Sequence, residues 1–401
     1  MSTKSQRWAA LGASSTAQIL HDGFSASIYL FLPIWQSAFG LSLTQVGLLK
    51  AVYTTAMAGL QIPAGLLAER LGERGLLAAG TTLSGLAFLA GGAAAGFATL
   101  ALCLFVVGCG SSVQHPLSSS VVARTYPSVS RRAALGFYNF AGDIGKLVFP
   151  TIAALLLALL PWRWVTASYA GIAVVVALAV FALLGLADTP DPQAQRRDPS
   201  ATAERGRGWG IRDRRGFQTL AAIHVIDDGS RTVFLTFLPF LLAAKGAEVH
   251  TLGLALTLVF AGGATGKFVC GMLAERAGII RTVIITEVFT SAGVLLLIAL
   301  PLTPALVLLP ALGVALNGTS SVLYGTVAEF VSAERHARAF GLFYTLGSCA
   351  GVLGPALYGL ASDALGLSLT FTILAAMISM TVPLAQVLRR SLAEHHGVAV
   401  P

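Results

Sequence analysis

The chain has 401 residues, 55% hydrophobic and only 11% charged, with a formal net charge of +8. A water-soluble domain carries about 25% charged residues, so this chain cannot cover a water-facing surface, and lipid must face most of it. The surplus of Lys and Arg invites a nucleic-acid reading, but its placement, given below, excludes one.

In chain order, residues 1–8 form a short polar tail, and apolar runs then follow at 12–36, 44–68, 75–95, 98–123, 132–158 and 163–186. A hydrocarbon core of about 30 Å needs roughly 20 apolar residues per helix. Runs of this length satisfy their own backbone polar groups as helices, as lipid demands. The first run is too long for a cleavable signal peptide, contains His21 and Asp22, and lacks a small-residue cleavage pattern. Residues 188–216 break the apolar pattern with Pro190, Pro192, Pro199, Gly206, Gly208 and seven Arg up to Arg215, which reads as a linker. Six more runs follow at 217–243, 250–273, 281–300, 304–328, 338–361 and 367–388, and the chain ends in a polar segment with Arg389, Arg390, His395 and His396. The expected fold is therefore an all-α membrane protein of twelve transmembrane helices in two pseudo-symmetric six-helix bundles. The expected domains are an N-terminal bundle at 1–187, a cytoplasmic linker at 188–216 and a C-terminal bundle at 217–401.

Of the 26 Lys and Arg, 20 fall in the N-terminus, the even-numbered loops and the C-terminus. Four lie within spans (Lys50, Lys146, Arg231, Lys267), and only Arg163 and Lys245 lie in the loops of the other side. The positive-inside rule places both termini and the linker in the cytoplasm of a bacterial-type inner membrane. The basic loops face anionic lipid there rather than nucleic acid. Cys103, Cys109, Cys270 and Cys349 all fall in apolar runs at spacings that match no metal site, and read as buried thiols.

Gly65-Leu-Leu-Ala-Glu69-Arg70-Leu-Gly72-Glu-Arg74, between the second and third runs, recurs as Gly271-Met-Leu-Ala-Glu275-Arg276-Ala-Gly278, an offset of 206. The same offset carries Asp22-Gly23 onto Asp228-Gly229, Leu32-Pro33 onto Leu238-Pro239 and Gly47-Leu48 onto Gly253-Leu254. One register held across both halves means two copies of one unit.

Six spans, a linker and six spans in parallel repeat resemble the major facilitator superfamily over nearly the whole chain. The charged turn resembles that superfamily's signature between spans two and three, with Glu69 where Asp is commoner. The resemblance implies that Gly65, Glu69, Arg70, Gly72 and Arg74, and in the second copy Gly271, Glu275, Arg276, Gly278 and Arg281, form a cytoplasmic gate motif. A plain solvated turn is the alternative. Gly108-Cys-Gly110-Ser111-Ser112-Val-Gln114-His115-Pro116-Leu-Ser118-Ser119, with His21-Asp22-Gly23, is similar to the fosmidomycin-resistance-type exporters, although Leu117 stands where that group has an acid. The resemblance implies transport of a small molecule by a monomer.

Ionisable groups deep in lipid each need a reason. At about 1.5 Å per residue, Asp22 lies about 15 Å into span one, near the midplane. No basic residue stands three or four positions from it, so a carboxyl able to exchange a proton is expected there. Asp22, His21 and Asp228 are the predicted proton-coupling residues. Lys50, Tyr53, Gln114, His115, Asn139, Asp143, Lys146, Asp227, Arg231, Asn317 and Tyr344 are the predicted substrate-binding residues, the cations among them suiting a carboxylate, phosphonate or phosphate. In span seven, His224–Asp228 and Asp227–Arg231 are i,i+4 and Asp228–Arg231 is i,i+3, so pairing within one helix is open. Several of these residues also have plain structural readings. Asp143–Lys146 and Asp227–Arg231 would fix helix rotation, His115 would satisfy backbone freed by Pro116, Glu287 would be structural, and Lys50 and Lys267 would snorkel to an interface.

The function expected is secondary active transport, coupled to protons, that exports a small anionic or polar compound by alternating access. Uptake of a small organic anion by proton symport is the alternative, and a non-transporting sensor or scaffold a further one. The sequence assembles no Ser-His-Asp constellation, zinc-spaced cluster or phosphate loop, so no enzyme, cofactor or metal is expected.

Overall fold

The computed structural model describes residues 3–187, 211–331 and 336–396. Most of the linker expected at 188–216 lies outside these residues. The twelve apolar runs are occupied by fifteen helices: α1 (Thr3–Phe39), α2 (Leu43–Gly59), α3 (Gln61–Leu71), α4 (Glu73–Gly92), α5 (Phe97–Ser111), α6 (Gln114–Thr125), α7 (Ser128–Leu157), α8 (Trp162–Ala187), α9 (Arg214–Ala243), α10 (Val249–Ala277), α11 (Ile279–Ala299), α12 (Leu302–Thr326), α13 (His336–Leu365), α14 (Leu367–Ser379) and α15 (Thr381–His396). Apart from one bridge pairing Ile211 with Val331, the described residues contain no strand. Three runs are broken once, at Leu60, at Ser112–Val113 and at Met380. The breaks share a local cause. They place Pro63, Pro116 and Pro383 in the first turns of α3, α6 and α15, where a missing N–H costs nothing.

Nine segments are long and apolar enough to cross a membrane among the described residues. The first, seventh and eleventh spans, α1, α9 and α13, are not among them; α1 carries the buried His21 and Asp22, and α9 the buried His224 and Asp227. The outside of the protein is apolar: Ile62, Leu102, Leu159, Val175, Phe268 and Leu357 are all largely exposed. Water would not tolerate that surface, and lipid does.

The chain separates into two compact units, Met1–Leu41 with Val52–Gly206, and Ser42–Ala51 with Arg207–Pro401. In the first unit α1 packs on α7 and α8, and α4 packs on α5 and α8. In the second, the helices at the repeat positions make the same pairs: α9 on α13 and α14, and α11 on α12 and α14. Each unit is thus built on the same pairing of its first and fifth spans and its third and sixth. The first unit's core is unusually small-sided, with Ala10, Ala13, Ala17, Ala64 and Ala68 around Leu77, Val121 and Leu184. Small residues let helices approach closely where lipid gives no hydrophobic drive to associate. The second unit's core is bulkier, centred on Phe217, Leu323, Phe330, Phe343 and Leu388. Also in that unit, the carboxylate of Asp363 accepts hydrogen bonds from the backbone N–H groups of Leu43 and Thr44, at 2.8 Å each, and from the Thr44 hydroxyl at 2.6 Å. It thereby satisfies orphan donors at the start of α2.

Candidate functional site

The first unit gathers buried and partly buried polar groups around Asp22. Gln18, His21 and Asp22 come from α1, His115 from α6, and Tyr138, Asp143 and Lys146 from α7. The helices meet because span five has glycines where it crosses span one. A Cβ on Gly145 would lie 2.0 Å from the carbonyl oxygen of Ile19, and one on Gly142 would lie 2.3 Å from the Asp22 carboxylate. The sequence's Gly142-Asp-Ile-Gly145 is therefore a notch that lets the two backbones approach.

Within the cluster the Lys146 ammonium lies 3.0 Å from Asp22 Oδ2 and 3.2 Å from Asp143 Oδ1. His21 Nε2 and His115 Nε2 each lie 3.9 Å from Asp22 Oδ1. The two imidazoles meet edge to face at 4.8 Å. Tyr138 donates to Gln18 Oε1 at 2.6 Å, and the Gln18 amide reaches His115 Nδ1 at 3.5 Å. Asp22 is 6% exposed. The sequence leaves Asp22 without a partner on its own helix, and the structure corrects that expectation: the partner is Lys146, brought from span five by the notch. His115 also does not do the backbone work expected beside Pro116. The Ser119 hydroxyl takes the His115 carbonyl at 2.5 Å, which leaves the ring free to face Asp22. His21, Asp22 and His115 bring three potential metal-ligand atoms within 4.8 Å of one another. Lys146 already places a positive charge on the shared carboxylate, which disfavours a second cation there.

The second unit has a different arrangement at the matching place. The Arg231 guanidinium pairs with Asp228, and it also donates to Ser320 Oγ at 2.6 Å. Ser320 in turn donates to Asp227 Oδ2 at 2.6 Å. The His224–Asp228 pair that the spacing leaves open does not form among the described residues. The His224 ring stacks flat on Phe343 at 4.2 Å, and neither nitrogen has a hydrogen-bond partner among the described residues. Stacking takes the ring face, and Arg231 takes the carboxylate.

Both copies of the charged turn end alike. Gly72 caps α3 with φ 80° and ψ 149°, and Gly278 caps α10 with φ 86° and ψ 156°, a backbone region essentially reserved for glycine. Arg74 lies over the Phe181 ring, 3.7 Å from its centroid, and donates to the Phe181 carbonyl at 2.7 Å, tying the turn to α8. Arg70, Glu275, Arg276 and Arg281 are exposed; the Glu69 side chain lies outside the described atoms.

The family model of the Major Facilitator Superfamily matches residues 15–223 and 220–397. The chain belongs to the major facilitator superfamily. A transporter rather than an enzyme is the class this superfamily indicates. Among its relatives, the fosmidomycin resistance protein of Escherichia coli (strain K12) is 30% identical over 194 residues, 48% of this chain and 47% of that protein. The match thus spans about half the length of each. The probable sulfoacetate transporter SauU of Cupriavidus necator is 24% identical over 83% of this chain and 82% of its own. A bacterial homolog of the human lysosomal transporter Spinster, solved in an inward-facing, unoccupied conformation, has the same fold, with a TM-score of 0.79 at 18% identity over 99% of both chains.

The remaining predicted residues of this superfamily member lie as follows. Tyr53 is fully buried, with its hydroxyl near Ser25 and Ser111. Gln114 donates to the Thr81 hydroxyl at 2.6 Å, and Lys50 is buried. Asn139, one turn before Asp143, is exposed. Asn317 donates to the Gly313 carbonyl of its own helix at 3.2 Å. Tyr344 is half exposed and stacks on Tyr324 at 4.7 Å. Sequence reasoning missed Tyr138 and Ser320, whose places are set by neighbouring helices. It also missed the buried ion pair between Glu73 and Arg124. The acid there follows the glycine of the repeated turn, which was the available signal.

Proposed function

We propose that the protein is a proton-coupled secondary transporter that exports a small anionic or polar compound by alternating access, with Asp22 as its proton-binding carboxylate. The observation that carries this reading is the ion pair, at 3.0 Å, between the buried Asp22 and the partly exposed Lys146. The pair can be opened in two ways, by a proton on Asp22 or by a substrate that supplies both halves. A compound bearing an anionic group and a hydrogen-bond donor inserts between the two. Its anionic group takes Lys146, and its donor takes the ionised carboxylate. A proton on Asp22 removes that acceptor, so proton and substrate bind in turn, which is the requirement for exchange. His21 and His115, both 3.9 Å from Asp22 Oδ1, are placed to pass the proton. Asp228 and Arg231 form the corresponding exchangeable pair of the second unit. The resistance protein among the relatives supports export.

A second reading, uptake of a small organic anion with a proton, is favoured by one observation: Lys146 already faces two carboxylates, Asp22 and Asp143. A pure anion gains Lys146 only when a proton first neutralises Asp22, so the two would travel together. The relative named as a probable sulfoacetate transporter fits that chemistry. Equilibrium binding of fosmidomycin and of sulfoacetate to the purified protein separates the readings by sign. Exchange predicts affinity that rises as pH rises through the titration of Asp22. Symport predicts affinity that rises as pH falls. Binding indifferent to pH would remove Asp22 from both.

A further inference from the structure

Asp227 of α9 and Glu287 of α11 are each 3% exposed, in the interior of the second unit. Both flank the same point of α12: Ser320 donates to Asp227 Oδ2 at 2.6 Å and Thr319 bonds Thr286, the residue before Glu287, at 2.8 Å, so the two carboxyls meet as neighbours. An ionised carboxylate only accepts hydrogen bonds, so a hydrogen bond between two of them requires a proton. Around Glu287, the Thr381 hydroxyl stands 3.4 Å from Oε2 and 2.6 Å from the Ile378 carbonyl, and the Thr319 hydroxyl bonds Thr286 at 2.8 Å and the Ala315 carbonyl at 3.1 Å, so each of these one-proton donors has competing acceptors.

The charge count points the same way. Arg231, Asp228, Asp227 and Glu287 place one guanidinium among three carboxyls, and Arg231 is already paired with Asp228. With every carboxyl ionised, these four groups would carry a net charge of −2, and Asp227 and Glu287, the two fully buried members, are adjacent carboxylates that cannot both stay charged in such a place. The elements packed against α9 and α11 bring little to alter this. From α12 come Ser320, Thr319 and the Tyr324 phenol; from α13, Tyr344 stacked on Tyr324. From α15 comes Thr381, with Arg389 and Arg390 exposed. The sequence of α14 has no ionisable residue. Lys267 and Cys270 stand on α10, and His224 one turn before Asp228.

We infer that Asp227 and Glu287 form a carboxyl dyad that holds one proton between them. It is a second proton site, distinct from Asp22, and gives Glu287 a role beyond filling space. The dyad is wired to the rest of the second unit through Ser320, which donates to Asp227 and accepts from Arg231. A ligand that draws Arg231 away from Ser320 and Asp228 therefore acts on the dyad's proton.

The test is infrared spectroscopy of the purified protein in lipid nanodiscs at neutral pH, which needs neither substrate nor gradient and so stands apart from any transport result. Wild-type protein is expected to show a protonated-carboxyl C=O band that shifts in deuterated water and that is lost in Glu287→Gln. Gln keeps the hydrogen bond and carries no titratable proton. If Glu287→Gln does not fold, wild-type protein labelled with carboxyl-13C glutamate makes the same test, and the band must move with the label. A band unchanged in Glu287→Gln, or a wild-type spectrum with no label-sensitive protonated carboxyl, overturns the inference.

Discussion

Lys146 holds two carboxylates at once, with the Asp22 and Asp143 oxygens at 3.0 and 3.2 Å. A charge placed this way does two jobs, and substitutions separate them. Lys146→Gln removes the cation and is expected to weaken binding of an anionic probe by about tenfold or more, since each factor of ten is about 1.4 kcal/mol. Lys146→Arg keeps the charge but not the point geometry and should retain part of the affinity. Unchanged affinity in Lys146→Gln, read by calorimetry with fosmidomycin and sulfoacetate, would count against the anion site. The identity of these residues was legible in the sequence, because any ionisable side chain in a long apolar run needs a reason. Their partners were not. Lys146 reaches Asp22 across two helices, and Ser320 reaches Asp227 across two others, so neither contact leaves a periodicity in the chain. Where the sequence offered pairs within one helix, as for His224 and Asp228, an aromatic neighbour from another span decided otherwise.

The helices themselves follow from apolar length, which is why the twelve runs and the repeat were readable. Each of the three breaks had a visible sign in a proline, Pro63, Pro116 and Pro383, that stands third in the helix that follows. Two glycines of span five make a paired prediction at this scale. Gly145→Ala sets a Cβ 2.0 Å from the Ile19 backbone carbonyl, which cannot rotate away, so α1 and α7 must separate. Overpacking of this kind costs about 1–3 kcal/mol, and a lowered thermal midpoint in detergent is expected. Gly142→Ala meets the Asp22 carboxylate at 2.3 Å, the far end of a side chain that can swing aside. That variant should keep its stability and lose transport; the opposite ranking would show that the notch is not what positions Asp22. In the repeated turns, Gly72→Ala and Gly278→Ala must each hold alanine at φ of 80° and 86°. Strain of this kind costs about 1–3 kcal/mol. Similar losses of stability in both are expected, and an indifferent Gly278→Ala would mean that the second copy of the turn is freely remodelled.

As a whole, the molecule is one unit used twice with its chemistry divided. The pairing of first with fifth and third with sixth spans is kept in both units. The buried polar groups are not: the first unit carries a lysine between two carboxylates, the second an arginine with a carboxyl pair behind it. The duplication was plain from the offset of 206, whereas this divergence appears only once partners are placed. A symmetric scaffold with unlike charged centres suits a carrier in which one half exchanges a proton while the other answers it, and rocking between two open states is the motion proposed for it. The central claim is that Asp22 binds the proton that drives transport. It is tested most directly by reconstituting wild type and Asp22→Asn in vesicles and measuring movement of fosmidomycin and sulfoacetate driven by an imposed pH gradient. Gradient-driven movement is expected in wild type and none in a folded, membrane-inserted Asp22→Asn; undiminished movement in that variant would remove Asp22 as the driving site.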